Sequence, residues 1–155
     1  MPPPKRIQVA RTGEQEYELR LDETRVPLGR AQIKSLLLQL TEALLPGSGL
    51  SKKALEANLA WLRKLETVDD PGMQTLLAEV DPDDLLVVLK AAEDNEALHG
   101  KVFTNMPANK ARMCREDLQF RMAEPPPEYL ANLAIERVML VARRLAQNER
   151  LRFGG

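Results

Sequence analysis

The side chains of this sequence that could do chemistry are few. They include two adjacent acid pairs, Asp83-Asp84 and Glu116-Asp117, together with one histidine, His99, and one cysteine, Cys114. Paired carboxylates can act as general acid and base, and a cysteine beside a histidine can act as a nucleophile. Adjacent residues on a helix point about 100° apart, so neither acid pair forms a carboxylate dyad by itself. His99 and Cys114 are too far apart in sequence to suggest a standard zinc site. The sequence therefore predicts no catalytic residue, no metal and no cofactor, and we expect a protein that is not an enzyme.

The composition narrows the class of protein further. The sequence contains no glycine-rich phosphate loop and no G-x-S-x-G motif. Of its 155 residues 44% are apolar but only 4% are aromatic, which suits a core of packed helices. The net charge of −1 gives no overall field to attract nucleic acid. No apolar run approaches the roughly 20 residues of a membrane span, so we expect no direct membrane insertion.

The N-terminal segment, 1–28, alternates apolar and polar residues. Ile7 and Val9 fall on one face of a first strand, and Tyr17, Leu19 and Leu21 fall on one face of a second. The letters TGEQ between them are typical of a turn, so the pattern predicts a β-hairpin. An isolated hairpin is marginally stable, so its edge must pack on the protein or pair with another chain to form an oligomer.

From residue 29 to 155 the period becomes helical, which predicts an all-α domain with leading helices at 29–68 and a charged helical core at 69–155. The leading part carries an apolar stripe of Ile33, Leu36, Leu37, Leu40 and Leu44, and it is interrupted at PGSG. Ser51, Asp70 and Asp81 are good N-cap residues for three of the helices that follow. The two aspartates precede proline, which is favoured at the first helical position.

The last helix, predicted at about 128–148, is apolar around most of its circumference and should be central and nearly buried. Its interior charges should form one solvent-facing strip: Glu136, Arg137, Arg143 and Arg144. Charge is also uneven along the chain, because residues 69–96 hold nine acids against one base and residues 97–155 hold ten bases against six acids. Acidic helix starts and basic helix ends would explain this, as would a polarised interaction surface.

The helix after Pro107 combines an apolar stripe with many charges of both signs. The stripe is Ala111, Cys114, Leu118 and Met122. Two oppositely charged pairs are spaced by four residues, Arg112 with Glu116 and Asp117 with Arg121. Such pairs stabilise a helix by about 0.2–0.5 kcal/mol each. A solvated helix face and a surface for a charged partner are both compatible with this pattern.

Several segments, in order and at matching spacing, resemble the C-terminal domain of the flagellar motor switch protein FliG. They are Asp69-Asp70, QTLLAEVD, LLVVLKAA, FTNMP, CREDL, EPPP and LVARRLA, and the resemblance covers about residues 62–155. It implies an all-α, right-handed superhelical, armadillo-like fold in the bacterial cytoplasm, at the cytoplasmic face of the inner membrane. One helix of that domain presents charged residues to the stator, and these contacts transmit torque.

The resemblance also implies partner-contact residues. The acidic pair of the family falls on Glu116 and Asp117, and a family lysine falls on Lys90. A family arginine falls on the residue before Lys110, so this base is shifted, and another falls on Pro127 and is lost.

The departures from the family leave two functions open. Nothing corresponds to the E-H-P-Q motif, WLRK stands where the family has M-F-x-F, and the hairpin has no counterpart. The protein is then either a motor component that contacts rotor-ring or stator proteins, or a stand-alone adaptor that binds protein partners outside the motor. Nucleic-acid binding is not expected, because the C-terminal bases alternate with acids and few aromatics are present for stacking.

Overall fold

The computed structural model describes residue 2 and residues 6–154, so residues 1 and 3–5 of the predicted hairpin segment lie outside it, as does residue 155. The described N-terminus forms an antiparallel sheet of β1 (Ile7–Arg11), β2 (Glu16–Leu21) and β3 (Thr24–Gly29), in that order. The predicted hairpin of β1 and β2 is confirmed, with Ile7 opposite Leu21. The sequence analysis did not predict the third strand, β3, which pairs with β2 across a turn at Asp22.

The remainder of the described chain is mostly helical, as predicted. The helices are α1 (Arg30–Leu44), α2 (Leu50–Leu62), a 3₁₀ turn (Arg63–Thr67), α3 (Asp70–Glu79), α4 (Pro82–Ala91), α5 (Glu96–Thr104), α6 (Ala108–Phe120) and α7 (Glu128–Gln147). The right-handed armadillo-like superhelix stays a prediction.

Of the three N-cap predictions, the one for Asp81 is confirmed, and those for Asp70 and Ser51 are wrong. The side chain of Asp81 caps α4 by accepting hydrogen bonds from the backbone amides of Asp83, at 2.8 Å, and Asp84, at 3.3 Å. For α3 the prediction was wrong by one residue, because Asp70 lies inside the helix and its carboxylate pairs with Lys101 at 2.9 Å.

Ser51 was also wrongly predicted as an N-cap. Helix α2 begins at Leu50, and its N-cap is Gly49 with φ of 73°. Glycine adopts this left-handed conformation without steric cost, so the chain can turn sharply out of the loop after α1.

Helix α7 is the centre of the core, as its apolar circumference predicts. It packs against α1, α2, α3 and α4. Ile135 and Leu145 of α7 and Leu89 of α4 are 0% exposed. The short helices therefore surround one long buried helix, and they gain most of their stability from burying apolar side chains against it.

The predicted solvent-facing strip of α7 is wrong at its first residue. Glu136 is buried, and its Oε1 lies 2.5 Å from the Nζ of Lys34 on α1. The sequence could not reveal this contact, because the two residues are 102 positions apart.

A second buried polar contact joins α2 to α7. The Nδ2 of Asn58 donates to the Oδ1 of Asn132 at 2.9 Å, and the Nδ2 of Asn132 donates to the backbone oxygen of Ser51 at 3.1 Å. Both amide side chains are buried, so these bonds provide the partners that buried polar groups require.

Many of the acids and bases that are unevenly distributed along the chain form ion pairs with one another. Four of the nine acids of residues 69–96 pair with bases of the C-terminal half of the chain: Asp70 with Lys101, Glu79 with Arg144 and Arg150, Asp83 with Arg121, and Asp84 with Arg137. Burial raises the pKa of the Asp84 carboxyl, and the guanidinium of Arg137, at 3.4 Å, opposes that shift. Hydrogen bonds from Lys101 and Asn105 lower the pKa of Asp70.

Candidate partner-binding face

Helix α6 is held on the core by the stripe that the sequence predicts. Ala111 and Cys114 are buried, and Leu118 and Met122 are half-buried against the core. Burial raises the pKa of the Cys114 thiol, and the nearby Asp117 carboxylate adds to the effect. The thiol is therefore protonated at neutral pH, consistent with its prediction as a small core residue.

The acids of α6 lie on its outer side and pair with bases on the same helix. The Oε1 of Glu116 lies 2.9 Å from the Nη1 of Arg112, and both side chains are more than half exposed. The Oδ2 of Asp117 lies 3.6 Å from the Nη1 of Arg121. The other guanidinium nitrogen of Arg121 donates to Asp83 on α4 at 3.2 Å, so these charges link α6 to α4.

An apolar cleft of about 200 Å³ lies between α4 and α6. Its lining is apolar at the floor and charged at the rim: Leu77, Val80, Pro82, Asp83, Leu85, Leu86, Met106, Lys110, Met113, Cys114, Asp117 and Arg121. A wider opening of about 500 Å³ shares Leu77, Met106 and Lys110 with it. The two together form a groove beside α6, which we call the α6 groove.

The structure places two of the four predicted contact residues at this groove. Lys110 and Asp117 line it, two helical turns apart on one side of α6. Glu116 points to the neighbouring side of the helix, where it pairs with Arg112. Lys90 does not line the groove, and its Nζ lies 2.7 Å from Glu93 while its side chain is 16% exposed.

Lys110 differs from the other charges of this face. It is exposed, and it forms no ion pair with any residue that the structure describes. The guanidinium of Arg115 instead lies 4.4 Å from the centre of the Phe103 ring, a distance typical of cation–π contacts. Lys110 is therefore the base of α6 that is available to an acidic side chain of a partner.

Sequence reasoning missed three residues of the groove, namely Asp83, Met113 and Arg121, as partner-contact candidates. The spacing of Arg121 from Asp117 was visible as a helical pair, but the approach of Asp83 depends on how α4 packs on α6. Met113 is 58% exposed at the rim, and it falls outside the apolar stripe of α6.

The residues that the sequence singled out for chemistry make contacts within the fold. Asp83 and Asp84 point to different bases, so they do not form a dyad. His99 is half-buried with its Nε2 2.8 Å from the backbone oxygen of Leu89, a structural contact. No three metal-binding side chains cluster among residues 6–154, and within the same part of the chain no helix has the length and apolar character to cross a membrane.

The arrangement defines a helical domain whose exposed chemistry is a charged face beside an apolar groove. Residues 51–153 match the family model of the FliG C-terminal domain, and the chain belongs to this family. It is 38% identical over 92 residues to the flagellar motor switch protein FliG of Vibrio cholerae and 36% identical over 91 residues to that of Pseudomonas aeruginosa. Each match covers 59% of this chain and about a quarter of the relative, at 25% and 26% respectively.

The family match begins earlier than the resemblance at about residue 62. It includes α2, whereas the N-terminal sheet and α1 lie outside it. The groove beside α6 and the four predicted contact residues all lie inside it.

Proposed function

We propose that this protein is a non-catalytic component of a flagellar motor switch and that the outer face of α6 contacts the stator. The observation that carries the proposal is the exposed acid pair Glu116 and Asp117 on a helix of a FliG C-terminal domain. Lys110 would supply the basic part of the contact, and Lys90 would join it only on release from Glu93. Such a domain would work in the cytoplasm, at the cytoplasmic face of the inner membrane.

The ion pairs on α6 fit a surface that exchanges partners. Exposed pairs such as Glu116 with Arg112 contribute about 0–1 kcal/mol, so a basic side chain of a partner can displace the arginine at little cost. Opposite charges across the interface would mainly set the orientation and the rate of encounter. A contact of this kind forms and breaks readily, which torque transmission between moving parts requires.

The α6 groove would add direction to the contact. Its apolar floor can receive an apolar side chain, while Lys110, which lines both parts of the groove, and Asp117, which lines only the part between α4 and α6, present opposite charges. A partner segment with the complementary charges would be favoured in one orientation and disfavoured in the reverse one.

Recovery of partners from the host tests the motor role. We expect the tagged full-length protein, purified from its own flagellated host, to retain rotor-ring or stator subunits identified by mass spectrometry. The contact is electrostatic, so recovery of a stator subunit should fall as the salt in the wash rises. Recovery of only non-flagellar proteins, independent of salt, would contradict the motor role.

The second candidate function is a stand-alone adaptor outside the motor. The observation that favours it is the sheet outside the family match, where Ile7 and Val9 of the edge strand β1 are 66% and 57% exposed. An exposed edge can take up a further strand from a partner, with main-chain hydrogen bonds for affinity and side chains for specificity.

For this second function, we expect the double substitution Ile7→Lys and Val9→Lys to remove partner binding without unfolding the helices, because charges on an edge strand discourage pairing. Circular dichroism would report the fold, and co-purification would report the partners. The matched control is Thr12→Lys with Gln15→Lys, which adds the same two positive charges at exposed positions in the turn after β1 and leaves Ile7 and Val9 intact. An unchanged set of partners in the Ile7/Val9 variant would rule out the sheet edge as the binding surface.

A further inference from the structure

Helix α1 is apolar on two opposite sides. Ala31 and Ser35 are buried where α1 packs on α7. On the other side, Leu37, Leu40 and Leu44 are 62%, 52% and 79% exposed. Helices that are apolar on both sides are normally covered on both sides. The structure covers only one.

The exposed surface continues past the end of the helix. Leu45 and Leu50, at the turn between α1 and α2, are 61% and 44% exposed. We call these five leucines the α1 ridge: Leu37, Leu40, Leu44, Leu45 and Leu50. The ridge carries no charge of its own, and apolar surface of this kind on a soluble protein marks an interaction site.

Two charges near the ridge are engaged within the chain, whereas the exposed bases Arg30, Lys52 and Lys53 form no ion pair with the residues that the structure describes. Lys34 pairs with Glu136. The Glu42 carboxylate accepts from the backbone amide of Gly47 and from the hydroxyl of Ser48, both at 3.3 Å. The five leucines themselves offer apolar contact to whatever covers them.

We propose that a second copy of this chain covers the α1 ridge, with the two α1 helices antiparallel across a two-fold axis between Leu37 and Leu40. Four apolar positions on the outer side of α1 are spaced symmetrically about that point, at 33, 37, 40 and 44. An antiparallel pair places Leu37 against Leu40 of the other copy and Ile33 against Leu44. The stripe is thus complementary to itself, as a two-fold interface must be.

The size of the ridge is sufficient for such a pair. The five leucines together expose the equivalent of about three fully accessible leucine residues per copy. Doubled by the two-fold axis, this is on the order of 1,000 Å² of buried surface, near the lower limit for a specific protein interface. We therefore expect a dimer that dissociates on dilution, at micromolar concentration, rather than an obligate one.

A lipid surface is the less suitable occupant. Helices that lie on membranes carry lysine and arginine along their polar side. Helix α1 carries only two bases, Arg30 and Lys34, and Lys34 is bound to Glu136. The proposal does not depend on the motor role, because α1 lies outside the FliG C-terminal match.

Sedimentation of the purified full-length protein tests the proposal directly. We expect a concentration-dependent monomer–dimer equilibrium in the wild type and at least a tenfold weaker dimer for Leu40→Glu, with unchanged circular dichroism. The matched control is Phe120→Glu, which places the same charge at a 77% exposed apolar residue of α6 and should leave dimerisation unchanged. The proposal is wrong if the wild type stays monomeric at about 100 µM, a concentration well above a micromolar dissociation constant. Equal weakening by Phe120→Glu, or a monomer that binds liposomes, would also overturn it.

Disulfide cross-linking tests the antiparallel arrangement. In a Cys114→Ala background, a mixture of the Leu37→Cys and Leu40→Cys proteins should form the mixed disulfide faster than either protein alone forms its own. Faster formation by each protein alone would mean parallel helices and would overturn this geometry.

Discussion

Reversal of the acid pair on α6, Glu116→Lys with Asp117→Lys, is expected to abolish motility and to leave the fold intact. The proposed stator contact would change from attraction to repulsion, and like charges across an interface strongly suppress binding. The cost to folding should be small, about 1 kcal/mol or less, because both carboxylates are in exposed pairs on their own helix. Swimming in soft agar measures the function, and urea denaturation measures the stability.

A matched control distinguishes this effect from a general change of charge. Asp94→Lys with Glu149→Lys alters the net charge equally at exposed positions after α4 and after α7. Cells that carry this variant should swim normally in soft agar. A loss of helicity in the Glu116/Asp117 variant would indicate a structural role for the pair, and loss of motility in both variants would indicate sensitivity to charge alone.

The substitution Ile135→Ala is expected to lower the free energy of unfolding by about 3–4 kcal/mol, within the range for removing a large aliphatic side chain from a core. Ile135 is 0% exposed in the middle of α7, and α7 as a whole packs against four helices. The cavity adds to the cost of the lost burial, because the structure around such a site relaxes only partly. Total stabilities of domains are about 5–15 kcal/mol, so the loss is a large fraction of the whole.

Leu130→Ala on the same helix is the matched control. Leu130 is 37% exposed near the start of α7, and its truncation should cost about 1 kcal/mol, since less apolar surface is lost and water can fill the space. Urea denaturation followed by circular dichroism compares the two variants. Equal losses would mean that α7 is not the centre of the core.

Local signals in the sequence were sufficient for the helices and insufficient for the third strand. Asp81 before Pro82 marks a helix start by its own chemistry, and the side chain caps α4 as that chemistry requires. In β3, Pro27 argues against a strand, because proline lacks the amide hydrogen that a ladder needs. It is tolerated there because β3 is an edge strand with a partner on one side only.

In the candidate site, too, the contacts within one helix could be predicted from the sequence, and those between helices could not. The spacing of Asp117 and Arg121 along α6 predicts their pairing, because residues four apart share a helix face. The groove could not be predicted, because it arises where α4 approaches α6 and brings Asp83 to Arg121 across 38 residues. The isolation of Lys110 from any described acid is likewise a property of packing.

The buried amide pair of Asn58 and Asn132 has a consequence for how the leading helices are aligned. If α2 slid along α7 by one helical turn, about 5.4 Å, the amide pair would be broken and Asn132 would come opposite Ala54 or Leu62. An unsatisfied buried amide costs about 1–3 kcal/mol, so we infer that the pair favours one alignment of α2 along α7. Helix α1 packs on both α2 and α7. The Asn58–Asn132 pair therefore also helps to fix the direction in which the α1 ridge points relative to the charged face of α6.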